Sequence, residues 1–372
     1  MTHLPSELRR AVAVLCFCAL AGGTVSGCGL LKPAPTLLPP TTKYAASAKL
    51  ASNLDSLGDL SGPIQGTIKI GDETRKLSGS VAIKGKDSQI SLVDDTDQTL
   101  ADEIVVGGRR YTSPDDKLWI HRGVKPAGTS LAAALAAADT THDAGPKTVE
   151  SVTAHQILTP ADVVDVAPAL GIDTWTFDNE STTLRVWADA AGKPLGFGAT
   201  MSWQVTLGGQ QKSVTVDLDV MFTYTTTVEI KAPDASWAWF QDRAGGISGG
   251  LPAGWKPDTV STTGATTLSD KATKSVMVYE RFDARGKTLD EVSQDAIGGF
   301  DSVPSGPERV SLSGEPASRY RYEDAKTSTY QVVTVVVHET VGWVFSVGGP
   351  RSNKSAVDDL ATQVMSTVEF TR

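Results

Sequence analysis

An α+β fold in which antiparallel β-sheet dominates is what this chain predicts, on three observations. Short runs of alternating apolar and polar residues recur along most of its length, separated by turn clusters. Gly, Thr, Ser and Val are plentiful, the composition of strands joined by tight turns. Helical spacing is confined to a few short stretches, at residues 44–57, 130–138, 160–170, 288–300 and 356–368. About 344 residues follow Cys28, more than one core usually accommodates, so two domains are expected.

In chain order, residues 8–28 come first. Arg9 and Arg10 precede an apolar run from Ala11 to Ala21, and the small residues Val25, Ser26 and Gly27 lead into Cys28. Basic, apolar and small zones in that order make a secretory signal peptide. A transmembrane anchor is the alternative, but a bilayer span needs about 20 apolar residues. Cysteine directly after the small residues resembles the lipobox of bacterial lipoproteins. That resemblance implies cleavage before Cys28, diacylation of its sulfur, and anchoring on the extracytoplasmic face of the cell membrane. More than one acyl chain is needed for stable anchoring. Cys16 and Cys18 fall within the removed peptide, so the mature chain is expected to have no disulfide framework. Residues 29–42 carry Pro33, Pro35, Pro39 and Pro40 and read as an extended tether, reaching about 40 Å at ~3.1 Å per residue.

After a helical stripe at 44–57, strand patterns follow. Ile64, Ile68 and Ile70 alternate with polar residues, then Leu77, Val81 and Ile83, then Ile90 and Leu92. Residues 104–111 read as a hairpin turning at Gly107-Gly108. The clearest pattern places Leu195, Phe197, Ala199, Met201, Trp203, Val205 and Leu207 at every second position. Val214, Val216, Leu218, Val220, Phe222 and Tyr224 repeat it. These two strands predict a ribbon, apolar on one face and polar or small on the other.

Thr182-Thr183-Leu184-Arg185-Val186-Trp187-Ala188-Asp189, followed by Gly192-Lys193-Pro194-Leu195, resembles a stretch of the LppX/LprG lipoproteins, which share their fold with the LolA carrier. Gly107 to Thr112, followed by Leu118-Trp119, is similar to a second stretch of that family. The resemblance covers residues 43–232. It implies a curved antiparallel half-barrel with helices on its concave side, and a long-chain lipid or acylated glycolipid as cargo. Ile68, Val81, Phe197, Met201, Val216, Val220 and Phe222 are then expected to line the lipid pocket. The bland alternative is a sheet packed solid against its own helices. Residues 233–372 show a Gly254-Trp255-Lys256-Pro257 entry, a helix capped at Thr288 with Glu291 three residues on, and the string Leu312-Ser313-Gly314-Glu315-Pro316-Ala317. Strands at 310–312, 317–322, 330–338 and 343–348 and a last helix complete a pattern that resembles the smaller PsbP-like α/β domain. Such a fold hosts unrelated functions and carries little functional weight.

No catalytic or metal-binding constellation is expected. His121, His142, His155 and His338 lack ligand spacing. Asp94, Asp95 and Asp97 read as a solvated turn rather than a calcium loop, and residues 245–250 as a flexible connection rather than a phosphate loop. A net charge of −9 argues against nucleic acid. The expected function is a non-enzymatic, membrane-anchored lipid carrier without cofactor or metal. The alternative is a lipidated scaffold whose C-terminal domain binds another envelope protein.

Overall fold

The computed structural model describes residues 49–50, 53, 58–113, 118–124, 142–149, 152–161, 178–207, 210–224, 227–242, 245–260, 265–270, 273–300 and 304–370. The chain divides into two compact units, with the boundary between Ala235 and Ser236.

The first unit is built on strands β1 (Leu60–Ile70), β2 (Glu73–Lys84), β3 (Asp87–Asp94), β4 (Thr99–Val106), β5 (Arg109–Thr112) and β6 (Ile120–Val124). There follow β7 (His142–Val149), β8 (Val152–Ala161), β9 (Asp178–Ala188), β10 (Pro194–Leu207), β11 (Gln210–Met221) and β12 (Thr223–Tyr224). Within this unit the order is β6-β5-β4-β3-β2-β1-β11-β10-β9-β8-β7, with β12 beside β1, and among the described residues the path does not close. Two meanders, one rising and one descending, are thus joined where β11 returns to pair with β1. The expected 104–111 hairpin is present: Val106 pairs with Arg109, and Gly107 and Gly108 both take positive φ, which a two-residue type I′ connection requires. The long ribbon is present too, with Leu207 pairing with Gln210.

Register shifts interrupt the ladder next to Leu92, Arg110, Pro194 and Ser202. Each adds local bend and twist to its strand. Gly79 makes a closer approach possible: a Cβ there would lie 2.0 Å from the Ser91 carbonyl oxygen and 2.9 Å from Leu92 Cα.

Of the helical stretches expected in this unit, Lys49, Leu50 and Asn53 are helical, and Leu50 is buried. Asn53 donates a hydrogen bond to the Gly192 carbonyl in the β9–β10 turn at 2.7 Å. Residues 130–138 lie outside the described residues. Pro160 and Ala161, placed by their spacing at the start of a helix, instead close strand β8, where pairing with Thr183 and Thr182 of β9 overrides local preference. The rest of that stretch lies outside the described residues.

The second unit contains β13 (Trp237–Asp242), β14 (Ile247–Pro252), β15 (Lys256–Val260), β16 (Thr266–Asp270) and β17 (Ser275–Asp283). Helix α1 (Leu289–Ile297) precedes β18 (Ser305–Leu312), β19 (Glu315–Asp324), β20 (Thr329–His338) and β21 (Val341–Pro350). Helix α2 (Lys354–Thr367) and β22 (Glu369–Phe370) end it. Its main sheet is antiparallel, in the order β15-β16-β17-β21-β20-β19-β18, and β14 pairs with both β13 and β22. Thr288 caps α1 with the full reciprocal box to Glu291, satisfying two otherwise orphaned donors. Val292 of α1 packs with Tyr320, Val333 and Val335 on one face of the sheet. On the opposite face α2 buries Val357, Ala361 and Val364, and Tyr330 donates its hydroxyl to Asp358 of α2 at 2.8 Å.

The glycine-rich segment at 245–250 is not a flexible connection. Residues from Ile247 onward form β14, and Ser248, Gly249 and Gly250 are buried. Small residues let the end of α2 approach the strand backbone: Gly250 N donates to Thr367 Oγ1 at 2.9 Å.

Candidate functional site

Side chains two apart on a strand share a face, and the register of the first unit carries one such face across several strands. Phe197 lies opposite Val220, and Val220 opposite Ile64. Met201 lies opposite Val216, and Val216 opposite Ile68. The same register holds on both sides of Phe222, with Ile64 on Val220 and Leu60 on Tyr224, so Phe222 faces Gly62. Gly62 in turn lies opposite Val81. All seven pocket positions read from the sequence therefore share one face in three parallel rows. Their exposure runs from 0% at Ile68 to 6% at Phe222. Ile64, Ile90, Leu92, Val186, Ala199, Leu218 and Trp203 occupy the same face and are equally buried. Cys28 lies outside the described residues.

The reverse face at β9–β11 is polar. Arg185 reaches across Gly198 to Asp219 at 2.8 Å and also bonds Asp217 and Thr200. A Cβ on Gly198 would stand 2.2 Å from Asp219 Oδ1 and 2.9 Å from Arg185 Nε; glycine is what lets the guanidinium cross the strand. Burial would lower the Arg185 pKa, but hydrogen bonds and charge attraction from Asp219 and Asp217 outweigh it, and the net direction is upward. Nearby, Tyr224 donates to the Pro194 carbonyl at 2.7 Å, and burial together with the charge of Asp189 pushes its pKa up to about 12. At β4 and β5 the reverse face is covered instead. Val228 and Ile230 pack there with Ile104 and Tyr111, so β4 is buried on both sides.

Two polar groups interrupt the apolar face, and the sequence reading missed both. Arg75, opposite Ile68, donates to Asp94 at 3.0 Å and to Glu73 at 2.7 Å. Asp94 also accepts from Thr96 and from Gln98 N and is 2% exposed. The turn expected here is present, but Asp94 is a buried ion-pair partner rather than a solvated carboxylate, because its oxygens cap the turn from inside. Burial acts to raise its pKa; the hydrogen bonds from Thr96, Gln98 and Arg75 outweigh it, holding the carboxyl below its ordinary value.

The second interruption continues the Val81 row: Val81 faces Ile90, Ile90 faces Glu103, and Glu103 faces Thr112. Glu103 is 6% exposed. Its Oε2 accepts from Arg110 at 2.7 Å, while its Oε1 and the neighbouring Ser88 Oγ have no hydrogen-bond partner among the described residues.

Among the described residues no group of three or more His, Cys, Asp or Glu side chains could hold a metal ion. No described helix is long and apolar enough to cross a membrane. A cleft of about 350 Å³ in the second unit is lined by Lys274, Val276, Gln331, Gly348 and neighbouring turn residues; Lys274 is the titratable group in that lining, and no acid–base pair is formed there.

No family model matches the chain, and no curated protein matches it in sequence. Among solved structures, MucB in complex with MucA(peri) aligns at 12% identity over 89% of this chain and 100% of that chain, with a TM-score of 0.27. The lipoprotein LppX of Mycobacterium tuberculosis aligns at 9% identity over 50% of this chain and 97% of that chain, with a TM-score of 0.30. LprF from Mycobacterium bovis aligns at 10% identity over 52% and 99% of the two chains, with a TM-score of 0.28.

Proposed function

We propose that this protein is a non-enzymatic carrier that holds the acyl part of a long-chain lipid against the apolar face of its first unit. The observation that carries the reading is the continuity of that face. It runs without a break in register from Val186 on β9 through Phe197, Val220, Ile64 and Gly79 to Leu92 on β3. Six neighbouring strands at about 4.8 Å spacing make it ~24 Å wide. The acyl chains of one leaflet fill only about half of a ~30 Å hydrocarbon core, so the face is wide enough to lie along one. Cys28, acylated in the manner of a lipobox cysteine, would hold the protein at the extracytoplasmic face of the cell membrane, with residues 29–42 as the tether.

The energetics suit a carrier. A sixteen-carbon chain leaving water gains about 12 kcal/mol at ~0.8 kcal/mol per CH₂. Exchange between bilayer and protein nearly cancels that term, so small differences at polar groups decide loading and release. Mass spectrometry of lipids that co-purify with the protein tests the reading. Stoichiometric lipid in the wild type, lost in Phe197→Asp or Val220→Asp variants that still fold, is the expected result. A wild type that emerges clean and gains nothing from liposomes overturns the carrier and leaves the lipidated scaffold.

A further inference from the structure

We infer that Glu103 and Ser88 form a polar subsite on the apolar face that accepts a free hydroxyl group of the bound lipid. This rests on the carrier reading above and adds the chemistry by which one lipid is told from another.

The register places the two side chains together. Ser88 faces Val105 and Ile90 faces Glu103, so Ser88 and Glu103 are diagonal neighbours on one face, within reach of a single small group. Glu103 is two strands from Val81 in the same cross-strand row, about 10 Å away at ordinary strand spacing. Both are buried: Ser88 is 4% exposed and Glu103 is 6% exposed.

A carboxylate so placed is costly to bury, and it needs hydrogen bonds to every free lone pair. Arg110 neutralises its charge and occupies Oε2. Oε1 and Ser88 Oγ have no hydrogen-bond partner among the described residues, so an acceptor oxygen stands beside a hydroxyl that can both give and accept. The sign of the site narrows what fits. An anionic phosphate would meet a carboxylate oxygen, and the charge that a cation would seek is already met by Arg110. A neutral hydroxyl satisfies Oε1 as donor and Ser88 as acceptor without adding charge. The ligand class is therefore a lipid with an unesterified, unmethylated hydroxyl close to its acyl chains.

The test uses the full-length protein and phosphatidylcholine vesicles doped with equal amounts of dioleoylglycerol and its 3-O-methyl ether, which has the same chains and no donor. After incubation the protein is re-isolated and both lipids are counted by mass spectrometry. The wild type should be enriched in dioleoylglycerol by about tenfold or more, because a site built to hydrogen-bond a hydroxyl rejects the analogue without one. In Glu103→Gln, Arg110 holds the amide oxygen and turns the NH₂ outward, so dioleoylglycerol uptake should fall to that of the ether. Ser88→Ala, a milder change, should reduce the preference and serves if the Gln variant does not fold. Equal uptake of both lipids by the wild type, as would follow if an ordered water already satisfied Glu103, overturns the subsite and leaves the carrier standing. So does a preference that survives in Glu103→Gln. Uptake of neither lipid overturns the carrier itself.

Discussion

Truncating Phe197 to alanine separates a lipid-lined face from a solid core, and Phe345→Ala in the second unit provides the internal reference. Phe345 is 0% exposed, its ring stacked on Trp343 at 6.2 Å and tilted against Tyr279 at 6.3 Å. Removing it leaves a hole in a filled core, and the cost should be about 4 kcal/mol, transfer plus cavity. Phe197 is 3% exposed and lies between Val186 and Val220 in register. If its ring faces a lipid, then in lipid-free protein its loss adds little new void. Only the transfer share, about 2 kcal/mol, is lost. Hydrogen exchange read by mass spectrometry over a urea series gives each unit its own opening free energy, since peptides from β9–β11 and from β20–β21 report separately. A second reading comes from loading. Lipid at about a hundredfold excess over its Kd should stabilise the wild-type first unit by about 2.7 kcal/mol and the second unit not at all. A Phe197→Ala cost equal to that of Phe345→Ala, together with no stabilisation by lipid, would refute the carrier reasoning.

Other outcomes follow from single residues. Gly79→Ala drives a methyl against the Ser91 carbonyl and Leu92 Cα, backbone atoms that cannot rotate away; the first unit should lose about 3 kcal/mol or fail to fold, read as a lower urea midpoint. Thr288→Ala removes the side-chain half of the α1 capping box while the residue's backbone N–H can still donate to Glu291, and it should cost about 1 kcal/mol in the second unit alone. Asp94 governs acid stability: its folded pKa lies below its unfolded value, near 3.9. Its contribution is complete above that unfolded value and is lost as pH falls through the folded one, because protonation removes the bonds from Thr96, Gln98 and Arg75. The urea midpoint of the first unit should therefore fall as pH drops below about 4, and Asp94→Asn should flatten that part of the profile.

How much of this was legible in the sequence depends on how many faces of each strand are buried. Between Leu195 and Val220 one face is apolar and the other is polar, so the period of two was clean, and the four pocket positions drawn from that stretch, Phe197, Met201, Val216 and Val220, share a face with Ile68, Val81 and Phe222. Beyond β3 the period fails for a physical reason. Val228 and Ile230 cover the reverse side of β4 and β5, so Ile104, Val105 and Val106 read as one apolar run. A strand buried on both sides carries no alternation to mark its inner face. Glu103 then looks like any charged residue at the edge of such a run, although the register turns it toward Ile90 and Val81. Gly79 and Gly198 fell into the alternation like any small residue, and why each must be glycine was not readable, since the contacts that require it come from neighbouring strands. The glycine-rich start of β14 misled for the same reason: its need for small side chains is set by Thr367, far along the chain. What alternation records is burial on one side of a strand. The departures from it that matter here, a buried glutamate on the apolar face and a glycine under a crossing guanidinium on the reverse face, are imposed by partners on other strands, and the first of them is where the apolar face can be selective as well as greasy.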